Sequence, residues 1–315
     1  MRAAVVLAAG QGKRMFSELP KVVHPVLGRP MILRVLETAR SCGFDRIVTV
    51  VGHGRESLVP MLDAGGFEWA VQDRQLGTAH AVSCALPVCG GADEYMVLLG
   101  DVPLLRPVTV MEVLGARAGS QAAAAVLTAR PPDASGYGRV VREAGSLIAR
   151  IVEEKDATPG ERGLSEVNTG VMAFDGRVLE SLLARIQNSN SQGEYYLTDA
   201  VSAARGMGLP CIAVEAGDWA EAAGINDQFQ LAEASLRLCR RLLEGLMASG
   251  VSFEDPGSVW IEDSVEIGPG TRVGRFVKLT GGAIVGRDCL LGDGCMVSGG
   301  RIPDGGSVPP YSVLA

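Results

Sequence analysis

Apolar residues fall into short unbroken runs that alternate with stretches where they recur every three or four positions, and from about residue 261 the spacing changes to six. Ala3–Ala9, Arg46–Val51, Glu68–Gln72 and Tyr95–Leu99 read as buried strands. Met31–Cys42, a stretch near Glu56–Leu62, and Thr78–Leu86 read as helices, the first stopping at Gly43, a residue type favoured just past a helix end. Strands alternating with helices predict a parallel, doubly wound α/β sheet of Rossmann-like type. The middle departs from this rhythm. Ala122–Thr128, Gly138–Arg142, Leu147–Val152 and Asn168–Phe174 all read as strands, and a strand-rich insertion beside such a sheet commonly forms the second wall of a cleft. Helices at Val178–Ile186 and Leu197–Ala204 and a strand at Cys211–Glu215 follow. The loop Gly224–Asp227 then opens a helix to about Met247, some 30 Å long at the usual rise per residue.

The six-residue period is the sharpest pattern in the chain. Ile261, Ile267, Val273, Leu279, Val285, Leu291 and Val297 keep phase throughout, and the residues two positions before them, Val265, Thr271, Val277, Ala283, Cys289 and Cys295, are small enough to share an interior. Hexads of this regularity predict a left-handed parallel β-helix with three hexads per coil. Pro303 and Pro309 are expected to break the aliphatic series and leave a short stack of roughly three coils. The domains expected are therefore 1–227, a linker helix over 228–250 and the β-helix over 251–315.

Composition narrows the chemistry. With 47% apolar residues in 315, a full core is available, and a net charge of −7 gives no general attraction to nucleic acid or to an anionic membrane. No long apolar span and no secretory signal pattern is visible, so a cytoplasmic protein is expected. The seven cysteines have no metal-ligand spacing and read as reduced core residues. The three histidines, His24, His53 and His80, read as structural, and none follows residue 80.

A phosphate must therefore be held locally, and the first loop is built for that. After the Ala3–Ala9 strand come Gly10 and Gly12, which allow close backbone approach to an anion, and then the cations Lys13, Arg14 and Lys21. Asp101 follows the Tyr95–Leu99 strand, and in open α/β sheets ligands collect at the carboxyl ends of strands, so Asp101 is expected to face the same crevice.

The segments LAAGQGKRM, LPKVVH, QLGTAH, GDVPLL, GYGR, IVEEKDA, EVNTG and QGEYYLTD, in this order, resemble the sugar-nucleotide pyrophosphorylases. The likeness is to the N-terminal half of the bacterial bifunctional enzymes that make UDP-N-acetylglucosamine, over residues 3 to 250 and more weakly beyond. The resemblance implies uridylyl transfer from UTP to N-acetylglucosamine 1-phosphate with Mg2+, in a nucleotidyltransferase domain. Leu7, Ala8, Ala9 and Gly10 would contact base and ribose, and Gln72, Gly77 and Thr78 would read the uracil. Arg14 and Lys21 would hold the triphosphate, Asp101 and Asn226 the metal. Gly138, Glu153 and Asn168 would bind the amino-sugar phosphate, with Tyr196 and Thr198 in the adjoining pocket. Lys13 stands where that family commonly has threonine, Leu99 where it has tyrosine, and Ala79 where it has glycine.

Acetyl transfer in the second half of those enzymes needs a histidine base and many further coils, so none is expected here. β-helices of that family pack as trimers, which implies a homotrimer. Two alternatives stay open: the same reaction with another sugar phosphate or nucleotide, such as glucose 1-phosphate or dTTP, and a non-catalytic trimeric sugar-nucleotide sensor.

Overall fold

The computed structural model describes residues 1–315, which form two compact units. The first comprises Met1–His24 and Pro30–Asn226, the second Pro25–Arg29 and Asp227–Ala315.

The first unit is built on one sheet. Its strands are β1 (Arg2–Leu7), β2 (Arg46–Val51), β3 (Glu68–Val71), β4 (Glu94–Leu99), β5 (Ala124–Ala129), β6 (Arg139–Arg142), β7 (Ile148–Val152), β8 (Val167–Asp175) and β9 (Cys211–Glu215). They run in the order β9-β5-β8-β4-β1-β2-β3, with β6 and β7 as a side hairpin joined to β8. The sheet is mixed rather than all parallel, because β8 is antiparallel to both β4 and β5. This reversal matters for the cleft. Asp175 pairs with Glu94 and Met172 with Val97, so the amino end of β8, with Asn168 and Gly170, lies toward the carboxyl end of β4.

Both faces of the sheet are covered, which is why β1, β4 and β5 are apolar throughout except for Arg2 and Glu94 at the strand starts and the buried Thr128. Helix α1 (Met31–Ser41) buries Met31, Ile32, Val35, Leu36 and Ala39 on one stripe, each large aliphatic contributing about 1.5–3 kcal/mol of burial. Helices α2 (Arg55–Ala64), α3 (Thr78–Cys89) and α4 (Pro107–Ser120) follow the next strands. The α4 helix is absent from the sequence expectations. Its Val108, Met111, Gly115 and Gly119 blur the amphipathic pattern, and the helix is held by burial of Val110, Val113 and Leu114 and by Pro107 at its first turn.

In the second unit the helix Gln228–Ala248 is capped by Asp227, whose Oδ1 accepts from Gln230 N at 2.8 Å. Its Cys239 and Leu243 share a core with Leu27, Val259, Ile261 and the inward residues of the coils. After it the chain winds through three parallel sheets. Trp260 lies opposite Lys278, Glu266 opposite Ile284 and Arg272 opposite Leu290, so these strands pair with the ones eighteen positions on, while the first strand, Ser252–Phe253, pairs twenty positions on with Arg272–Val273. That is the β-helix the hexads predict. The expected break at Pro303 does not occur. The winding drops one residue, pairing Ile284 with Arg301 and Leu290 with Ser307, and Ile302 and Val308 still point inward. The prolines are tolerated because they fall at the turns between strands, where no ladder hydrogen bond is lost.

Candidate functional site

The carboxyl ends of β1 and β4 face a cleft of about 620 Å³. Leu7 ends β1, and the chain leaves it through Ala8, Ala9 and Gly10, all of which line the cleft. A side chain at Gly10 would meet nothing within 4 Å, so the loop backbone is open there to whatever occupies the cleft. Gly12 serves differently. Its φ is +61°, and a Cβ there would sit 2.5 Å from Lys21 Cβ, so only glycine lets Lys21 pack across the loop.

Lys21 is the cation that reaches the centre. Its ammonium forms an ion pair with Asp101 and donates to Asn226 Oδ1 at 3.1 Å, and both Lys21 and Asp101 are largely buried. Asp101 projects from the end of β4, and its carbonyl accepts from Ile225 N at 2.9 Å, which ties the Gly224–Asn226 loop to it. Burial, with the nearby Asp101 charge, raises the Tyr137 phenol above its usual range. Two oxygen donors, one charged and one neutral, thus converge on a positive group. No cluster of three or more His, Cys, Asp or Glu exists that would hold a metal without substrate oxygens.

The opposite wall is formed by Gln72, Gln75, Gly77 and Thr78. Gln72 follows β3, and its Nε2 donates to Gly77 O at 3.0 Å. Gly77 is locked. At φ +111° a Cβ would lie 2.5 Å from Tyr195 O, inside van der Waals contact. Tyr195 N donates to Leu76 O at 2.7 Å, Ala79 N to Tyr195 O at 2.9 Å, and Leu197 N to Thr78 Oγ1 at 2.9 Å. These bonds staple the 194–198 loop against the start of α3.

That loop carries the second group of expected residues. Thr198 Oγ1 donates to Glu153 Oε1 at 2.9 Å, a Cβ on Gly138 would stand 3.3 Å from Glu153 Oε2, and Asn168 N donates to Gly138 O at 2.8 Å. Tyr196 OH accepts from Gln192 Nε2 at 2.7 Å. Burial pushes the Glu153 carboxyl above the usual range, against the opposing effect of the Thr198 hydroxyl.

Leu7, Ala8, Ala9, Gly10, Lys21, Gln72, Gly77, Thr78 and Asp101 therefore line one cleft, and Asn226 joins it through Lys21. Gly138, Glu153, Asn168 and Thr198 form a linked cluster, and Tyr196 stands two residues from Thr198 on the stapled loop. Arg14 and Lys13 are the exceptions: both are exposed on the turn Lys13–Met15 and neither lines the cleft. Gln11, Gln75 and Glu194 do line it, although they are not among the residues expected. Gln75 and Glu194 lie inside QLGTAH and QGEYYLTD, so the motifs themselves carried that signal.

A doubly wound sheet with a glycine loop, a lysine and an aspartate at its carboxyl edge defines a nucleotidyltransferase. The profile of the MobA-like NTP transferase domain matches residues 4–165, and the chain belongs to that family. Its relatives include the bifunctional protein GlmU of Brevibacillus brevis, 46% identical over 91% of this chain and 62% of that protein. The bifunctional protein GlmU of Geobacter sulfurreducens is 43% identical over 92% of this chain and 61% of its own length. This chain thus spans less than two thirds of the relatives it matches. A crystal structure of UDP-glucose pyrophosphorylase complexed with UDP-glucose shares the fold, with a TM-score of 0.62 over 76% of this chain and 99% of that one, at 18% identity.

Proposed function

We propose that the chain is a Mg2+-dependent uridylyltransferase that makes UDP-N-acetylglucosamine and pyrophosphate from UTP and N-acetylglucosamine 1-phosphate, and that it has no acetyltransferase activity. The observation that carries the reaction class is the convergence of Lys21, Asp101 and Asn226 beside the glycine loop. Asp101 and Asn226 already present oxygens to an ammonium group, so the donor set fits a hard cation completed by phosphate oxygens and water. Bound there, Mg2+ would neutralise phosphate charge.

The remaining chemistry falls to the chain. A sugar phosphate is already an anion at neutral pH, so its oxygen attacks the α-phosphate without a general base, and the protein needs to position it and offset charge. Lys21 serves the triphosphate from within the cleft. Arg14, on the adjacent exposed turn, is the second cation assigned to the triphosphate. The backbone of Leu7–Gly10 takes base and ribose, Gln72, Gly77 and Thr78 read the pyrimidine, and Gly138, Glu153, Asn168, Tyr196 and Thr198 take the amino sugar and its phosphate. Identity of 40–46% to several bifunctional GlmU proteins supports this choice of substrates. Residues 251–315 hold no histidine to act as an acetylation base.

A substrate panel tests the reading. Pyrophosphate release is measured for UTP, CTP, dTTP and ATP against N-acetylglucosamine 1-phosphate and glucose 1-phosphate. UTP with N-acetylglucosamine 1-phosphate is expected to lead, and Asp101→Ala to lower its kcat by about 10²-fold or more. A different leading pair overturns the substrates. Near-normal turnover by Asp101→Ala removes that residue from the mechanism. Acetyl-CoA with glucosamine 1-phosphate is expected to give no free CoA.

A further inference from the structure

One hydrogen-bond chain at the cleft runs from the base-reading Gln72 to His80 and Cys84, two side chains without a part in the reaction just described. Gln72 Nε2, which donates to Gly77 O, also lies 3.0 Å from His80 Nδ1, and His80 Nε2 lies 3.9 Å from Cys84 Sγ. The roles along it are fixed by the first member. A carbonyl oxygen only accepts, so the Gln72 atom facing Gly77 is the amide nitrogen. Its second N–H then points at His80 Nδ1, which must accept, and the ring hydrogen sits on Nε2, aimed at Cys84 Sγ. Burial raises the Cys84 thiol above its usual range, so the sulfur keeps its proton and is a weak acceptor for that N–H.

We propose that His80 is a positioning residue for base selection: with Gly77 O it fixes the carboxamide of Gln72 so that Oε1 is the atom offered to the pyrimidine. The inference rests on the uridylyltransferase reading and assigns His80, which the sequence marks only as structural, a part in specificity. Gln72 lines the cleft, and its Oε1 has no partner in the protein. An acceptor at that point matches the N3–H of uracil and opposes the N3 lone pair of cytosine. Two acceptors define the plane of the amide. With Gly77 O alone it can swing about a single bond, and one buried N–H is left unpaired, since Gln72 is only 3% exposed.

The first measurement uses the unmodified protein. With three histidines in the chain, long-range 1H–15N correlation spectra give the tautomer of His80, its signal identified by its loss in His80→Asn. The Nε2–H form is expected, and the Nδ1–H form overturns the assignment. The second is the ratio of kcat/KM for UTP over CTP. His80→Leu removes the acceptor and is expected to lower the ratio about tenfold, one discriminating hydrogen bond. His80→Asn, whose Oδ1 takes the place of Nδ1, is expected to hold it within about threefold. A purely structural role would depress both nucleotides equally, so an unchanged ratio in His80→Leu overturns the proposal. Failure of the unmodified chain to use UTP would instead overturn the functional reading, and the base-reading role with it.

Discussion

Glu153 shows how a site residue can weigh against the fold that holds it. Burial raises its carboxyl above the usual range, so the folded protein keeps a proton that the unfolded chain has already released. Stability contributed by this group is therefore greatest below the unfolded value and falls as pH rises through the interval up to the folded value. Glu153→Gln keeps a partner for Thr198 without that loss. Thermal melts are expected to show the variant equal to the native protein near pH ~4 and more stable near pH ~8, a gap that opens with rising pH. Its kcat/KM for the sugar phosphate is expected to fall about tenfold, since a charge-assisted hydrogen bond is lost. A variant destabilised at both pH values would show that the carboxylate is a structural support. Residue identities at the cleft were largely legible because the motifs carry them. The side-chain states were not, because Lys21 bridging Asp101 and Asn226, and Arg14 lying exposed, depend on loop geometry that spacing does not encode.

At the level of elements, the six-residue period was legible because each coil needs inward aliphatics at fixed intervals, and every such position from Ile261 to Val308 is buried. The corners were less so. They require a left-handed backbone, and although Gly270, Gly282, Gly294, Gly300 and Gly305 meet this, Phe276 at φ 55°, Asp288 at 53° and Tyr311 at 57° do so without being glycine. The continuation past Pro303 also escaped the pattern, since dropping one residue shifts the phase of everything after it. A stack in which each coil contacts only its neighbours should fail locally. Leu279 is fully buried between Ile261 and Val297 in one sheet, and Leu279→Ala is expected to cost about 2–5 kcal/mol. Hydrogen exchange in the variant should rise first in the strands from Trp260 to Leu314, with β1 and β4 still protected; uniform acceleration across both units would refute local failure.

For the whole molecule, alternation of strands and helices identified the sheet but not the reversal of β8. A buried strand is apolar on both faces whichever way it runs, so direction leaves no mark on the pattern. Assembly is the remaining question at this scale, and the outer surface of the β-helix bears on it. The position just before each inward aliphatic faces outward, where charged residues such as Glu266, Arg272 and Lys278 are expected and found. In the next coil the same positions hold Ile284, Leu290 and Met296, the last two about half exposed, and Phe276 at a corner is 66% exposed. Apolar groups on every side of one coil are costly to leave in water and are economically covered by copies of the same surface related by a closed rotation. We therefore expect a homotrimer held through the β-helix. Light scattering at micromolar concentration should give three times the 32.9 kDa protomer mass, and Leu290→Glu with Met296→Glu should shift it to the monomer while melts of the first unit stay unchanged. A native chain that scatters as a monomer under those conditions would refute the trimer and leave the exposed coil to some other partner.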